Sequence, residues 1–166
     1  MYKPLHWKTF LVLSLFLLAS CQPVAPTPVP VSTFTAIDKE FEKAVRQAQD
    51  TLYVLRQAFL APKPSYSFMS VKVRFSNTAG TEDIWTEPID LLDNVYTVKM
   101  VEGVTLERKA HPDRLVEVSP ENIIDWMILE KDGTVLGGYT LRLEYQRLSP
   151  EDQKKYKERT GYLRFE

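Results

Sequence analysis

The chain is poor in the residues that do covalent or metal chemistry. Of its 166 residues one is cysteine and two are histidine. A lone Cys21 forms no disulfide within the chain, so stability has to come from a packed core. His6 lies in the N-terminal segment, and His111 stands between Ala110 and Pro112 in a polar loop, with no cysteine or second histidine nearby to complete a zinc spacing. His111 therefore reads as an ordinary loop residue. Gly-x-Ser-x-Gly elbows, His-Glu-x-x-His pairs and phosphate-binding glycine loops are all missing. No metal, no cofactor and no catalytic residue is expected.

An excess of one charge is lacking too, with 21 basic residues against 22 acidic ones. Proteins that neutralise phosphates need clustered Lys and Arg. Here Arg108, Lys109 and Arg114, or Lys154, Lys155 and Lys157, are confined to short stretches or interleaved with acids. They read as solvated faces, and nucleic acid is excluded as a partner.

Long apolar runs are also absent. The stretch from Phe10 to Leu18, after the basic Lys3 and Lys8, is shorter than the roughly 20 residues that span a bilayer. It suits the core of a secretory signal. It ends in Leu18-Ala19-Ser20-Cys21, whose two small residues before a thiol form the processing and acylation site of a bacterial lipoprotein. Residues 1–20 are then a lipoprotein signal peptide and Cys21 carries the lipid that ties the chain to the membrane. Removing Lys3 and Lys8 from the 21 basic residues leaves 19 against 22 acids, a mature charge of −3. Residues 21–34 hold the acylated cysteine and a Pro-rich linker, whose extended chain reaches about 3.1 Å per residue. Gln22, rather than Asp, after the cysteine resembles the default pattern for export to the outer membrane, facing the periplasm, where two membranes exist.

Residues 35–166 read as a single globular α+β domain. Ile37, Phe41, Ala44, Val45, Ala48, Leu52, Leu55 and Phe59 recur at helical spacing, predicting one long N-terminal helix from about Ala36 to Leu60, capped by Thr35 and stopped by Pro62 and Pro64. The period then falls to two: Met69, Val71, Val73 and Phe75 alternate with Ser70, Lys72 and Arg74. Further strands are expected over Asp83–Ile89, Val95–Val101, Arg114–Val118, Ile123–Glu130 and Thr134–Tyr145, with an edge or bulge at Pro88 and a tight hairpin at Lys131-Asp132-Gly133. Ser149, Pro150 and Gly161 delimit a short C-terminal helix, after which Tyr162, Leu163 and Phe165 fold back as a tail. The expected architecture is a long N-terminal helix packed on a curved antiparallel sheet of five or six strands. A cystatin-like wrap and an SH3-like half-barrel are both compatible.

Ile124-Asp125-Trp126-Met127, a hairpin, and then Gly137-Gly138-Tyr139-Thr140-Leu141-Arg142 resemble the hallmark of a bacterial domain family of unknown function that includes the YegJ-like lipoproteins. Val71-Lys72-Val73 and Glu82-Asp83-Ile84-Trp85 agree with it, and the resemblance spans roughly Ala36 to Leu143. The Asn-Pro and Gly-Asp steps of that family are missing between Val95 and Val118, where Pro112-Asp113-Arg114 stands. The resemblance implies the fold and no activity, catalytic residue or cofactor.

Asp125 is an acid inside an apolar strand, so if it faces inward it must be hydrogen-bonded or have a raised pKa. The favoured reading is that it ties down backbone amides near the turn Ser119-Pro120-Glu121-Asn122. Trp85 and Trp126 stack as core or line a groove, and Gly137-Gly138 within a strand suggests a bulge or a close approach. Trp85, Asp125, Trp126, Gly137, Gly138 and Tyr139 form the best candidate binding groove. The sequence favours a membrane-anchored envelope lipoprotein, a non-enzymatic binding module for an envelope protein or ligand. The alternatives are an inhibitor or immunity protein against a toxin or wall-degrading enzyme, and an envelope hydrolase using acids such as Asp83 and Asp125.

Overall fold

A computed structural model describes residues 38–78, 80–100 and 114–166. The expected signal segment, Cys21, the expected linker, Thr35 and His111 lie outside the described residues.

The expected N-terminal helix is two helices, α1 (Lys39–Asp50) and α2 (Leu52–Leu60). Asp38 caps α1, accepting hydrogen bonds from the amides of Glu40 and Phe41 at 3.1 and 3.2 Å. Thr51 separates the two, with φ −107° and ψ 7°. Its hydroxyl donates back to the Gln47 carbonyl at 2.7 Å, a bond that competes with the helical ladder and bends a helix. The apolar spacing runs on through Ala48, Leu52 and Leu55, so periodicity alone carries no mark of the break.

The sheet has seven strands rather than five or six, in the order β4-β3-β2-β1-β5-β6-β7. β1 (Tyr66–Asn77) and β2 (Gly80–Leu92) form a hairpin in which Asn77 faces Gly80. β2 pairs with β1 up to Thr86 and from Thr86 onward with β3 (Val95–Met100), shifting register between Pro88 and Asp90. A bulge at Pro88 thus lets one strand serve two partners. β4 (Leu115–Val118) completes the meander, and the 3₁₀ turn Pro120–Asn122 carries the chain to β5 (Ile123–Glu130), which returns to pair with β1. The curl of these strands is strong. Val73 and Phe75 of β1 and Val116 and Val118 of β4 line one cavity of about 300 Å³, although β2 and β3 lie between them in the sheet.

β6 spans only Thr134–Gly137, and the stretch expected to continue as strand to Tyr145 is a helix, α3 (Tyr139–Gln146). Gly137 and Gly138 have φ +73° and +62° in succession, which turns the chain out of the ladder. The helix α4 (Pro150–Thr160) matches expectation, with Ser149 capping Asp152, Pro150 in the first turn and Gly161 in the left-handed region at its end. The returning tail forms β7 (Arg164–Phe165), parallel to β6, so the sheet is mixed rather than antiparallel. Two residues are too few for a periodic pattern to reveal.

One main core joins Ala48, Leu55 and Ala58 of the helices to Val71, Val73, Tyr96, Val98, Trp126 and Ile128 of the sheet. A smaller one gathers Met127, Val135 and Leu141 with Trp85, Tyr156, Tyr162 and Phe165. No helix among the described residues is long and apolar enough to cross a membrane.

Candidate functional site

Directly paired residues of neighbouring strands point to the same face. Lys72 is opposite Trp85 on one side and Asp125 on the other, so these three form a row across β2, β1 and β5. Val71 is opposite Thr86 and Trp126, which puts Trp126 on the other face. The two tryptophans of the expected groove are therefore on opposite faces of the sheet. Asp125, Trp126, Gly137, Gly138 and Tyr139 do come together, where β6 ends and α3 begins.

Asp125 has no solvent exposure. Its Oδ1 accepts from the amides of Trp126 at 2.8 Å and Tyr139 at 3.0 Å. Its Oδ2 accepts from the Thr140 amide and hydroxyl, both at 2.7 Å, and from the Leu141 amide at 3.4 Å. The carboxylate thus caps α3 from a neighbouring strand, where the orphan amides and the positive end of the helix dipole both favour an anion. It does tie down backbone amides, but those of α3 and not those of the 119–122 turn, because β5 carries Asp125 alongside the first turn of α3. Burial pushes its carboxyl above the usual carboxylate range, while the Thr140 hydroxyl and amide, the Trp126 amide and the Lys72 charge pull it back down.

Lys72 extends this network. It is 7 % exposed, and its ammonium donates to Glu144 Oε1 at 2.8 Å and to the Thr140 hydroxyl at 3.3 Å, while standing 5.6 Å from the centre of the Trp85 ring. Thr140 accordingly accepts from Lys72 and donates to Asp125, and the acid and base are linked through one hydroxyl. Strand alternation assigns Lys72 to a solvent face, so sequence reasoning missed it. Its position across from Asp125 in the register is the signal that finds it.

Trp126 is 2 % exposed. Its indole N–H reaches the Ala48 carbonyl at 3.0 Å and the Thr51 hydroxyl at 3.2 Å, pinning the break between α1 and α2. The Thr51 and Tyr139 hydroxyls lie 3.0 Å apart, and the Tyr139 ring meets Trp126 edge-on at 6.1 Å. Gly137 is where the chain closes on the indole: a Cβ there would sit 2.6 Å from the Trp126 carbonyl oxygen and 2.8 Å from its ring. Gly138 donates to the same carbonyl at 2.7 Å. At its far end α3 is held to α1 by Arg147, which binds Asp38 and Glu40 at 2.6 and 2.8 Å. The Arg147 hydrogen bond is the main cause that holds the Asp38 carboxyl below the usual range.

Asp83, the other acid considered for hydrolysis, is gripped by Arg74 through two bonds of 2.8 Å. Among the described residues no three of His, Cys, Asp and Glu come together as a ligand set for a metal ion. What the arrangement does chemically is hold β5, β6, α1 and α3 in one geometry.

Neither a curated protein nor a solved structure matches the chain. A family profile does match, over residues 38–164, and its description is an uncharacterized protein conserved in bacteria. That span takes in nearly every element described above, and the chain belongs to the DUF2314 family.

Proposed function

We propose that the chain is a lipid-anchored envelope protein whose α+β domain is a non-enzymatic binding or interaction module. The anchor rests on Leu18-Ala19-Ser20-Cys21 and the Pro-rich linker behind it. The resemblance to the YegJ-like lipoproteins points the same way. The observation that carries the non-enzymatic part is the state of Asp125. Its two oxygens already accept five hydrogen bonds from the protein, so the acid is committed to holding α3 and has no lone pair aimed at a substrate. The hydrolase alternative is weaker on the same ground, since Asp83 is engaged by Arg74.

Growth with a clickable fatty acid tests the anchor: the wild type takes up label and Cys21→Ala does not. Site-specific crosslinking of the lipidated chain in cells tests the interaction, with recovery of a defined envelope partner as the expected result. Where the cell has two membranes, fractionation should place the chain in the outer one, and recovery wholly from the inner membrane would contradict that address.

A further inference from the structure

A split opens inside the sheet where β2 leaves β1. The two strands pair from Val71 with Thr86 to Asn77 with Gly80, and no further. The end of this ladder is locked by side chains: Ser70 donates its hydroxyl to the Thr86 carbonyl at 2.8 Å, and Thr86 donates its own to the Val71 carbonyl at 3.1 Å. Beyond the lock β2 turns to β3, helped by Pro88, which has no N–H to offer β1. β1 nevertheless continues for five more residues, Tyr66 to Ser70, paired with β5 on one edge only. Its other edge has no strand against it among the described residues, and only the Tyr66 amide is already taken, by the Lys63 carbonyl at 3.0 Å.

That edge borders an open groove of about 320 Å³ between Phe59, Pro62 and Lys63 on one side and Glu87 and Pro88 on the other. Phe68, 37 % exposed, and Met69 of β1 also line it. Lys63 stands 5.7 Å from the centre of the Tyr66 ring and has no acid paired with it among the described residues. An unpaired strand edge in a groove takes up the backbone of another extended chain, with hydrogen bonds along the edge and side chains alternating into the pockets beside it.

We infer that the groove between β1 and β2 binds an extended segment of a partner protein as an added strand on β1, apolar at alternate positions, with a carboxylate that meets Lys63. Lys63, on the opposite side of the groove from Glu87, meets the acid and fixes which side of the segment carries it. This deepens the interaction reading above and rests on it.

The test uses the purified full chain in detergent and a blocked six-residue probe of alternating valine and threonine with one terminal glutamate. Two further probes carry N-methyl groups on one or the other set of alternate residues. Binding of the parent probe should slow hydrogen exchange in the segment 66–70. One methylated probe should bind at least about tenfold more weakly than the other, because it loses the backbone hydrogen bonds along the edge. Lys63→Glu should weaken the glutamate probe about threefold and favour one ending in lysine. Equal affinity for the two methylated probes, or unchanged exchange at 66–70, overturns strand addition. Crosslinking to an envelope partner reads out the interaction itself, so failure of the probes with crosslinking intact removes only the groove.

Discussion

Thr140 gives Asp125 both its backbone N–H and its hydroxyl, each at 2.7 Å from Oδ2, although fifteen residues separate them in the chain. This pair of hydrogen bonds to one oxygen makes a strand residue the cap of a helix it does not belong to. Asp125→Asn keeps the shape but turns an amide NH₂ toward a ring of donors. It should cost about 2–3 kcal/mol, the scale of hydrogen bonds to a charged group, measured by urea unfolding. Thr140→Val should cost less, and the double variant less than the sum of the two, because the residues act together.

Gly137 and Gly161 offer a controlled comparison. Both have φ +73°, but a Cβ on Gly161 would meet nothing within 4 Å, while one on Gly137 would press into Trp126. Gly161→Ala should therefore lose only the backbone cost of about 1–2 kcal/mol. Gly137→Ala should lose a further 1–3 kcal/mol or so from overpacking. Equal melting temperatures for the two variants would mean that the approach of Gly137 to Trp126 carries no energy.

Trp126→Ala should cost about 3–5 kcal/mol as a buried aromatic removed from the main core. Trp126→Phe keeps much of the volume but leaves the Ala48 carbonyl and the Thr51 hydroxyl without their donor. Its expected cost is roughly 1–3 kcal/mol. Thermal unfolding of the pair separates packing from the hydrogen bonds that fix the break between α1 and α2.

Much of this was legible in the chain, and the exceptions have physical causes. Ser149, Pro150 and Gly161 announce α4 because capping chemistry is local, and Asp132-Gly133 announces the β5–β6 hairpin for the same reason. The break at Thr51 escapes because apolar spacing is indifferent to one hydroxyl that bonds backwards. The end of β6 escapes because two glycines in a strand pattern look like a bulge until the amides of α3 are seen on Asp125. Lys72 escapes because α3 covers a position that alternation gives to solvent. Asp125 and Trp126 were recognisable as special, but which amides and carbonyls they hold depends on contacts across the fold.

The hairpin at Asp132 gives a pH signature. Hydrogen bonds from the Thr134 hydroxyl and amide, together with Arg164, lower the Asp132 carboxyl to about 2. A carboxylate favoured by the folded state contributes fully above its ordinary pKa near 3.8 and loses that contribution as pH falls toward 2. Protection of the β7 amides, taken relative to their intrinsic exchange rate at each pH, should therefore fall between about pH 4 and pH 2. In Asp132→Asn that protection should already be low and should not change across the window. A carboxyl titration by NMR with a midpoint near 3.8 would remove the clamp from the account.

The most direct measurement compares the purified chain with its Asp125→Asn variant on peptidoglycan and on an ester substrate, with the folded fraction of each recorded in the same samples. The structural role of Asp125 predicts no turnover by either protein and a lower melting temperature for the variant. Turnover by the wild type that disappears in a fully folded Asp125→Asn chain would contradict it and make Asp125 a catalytic residue.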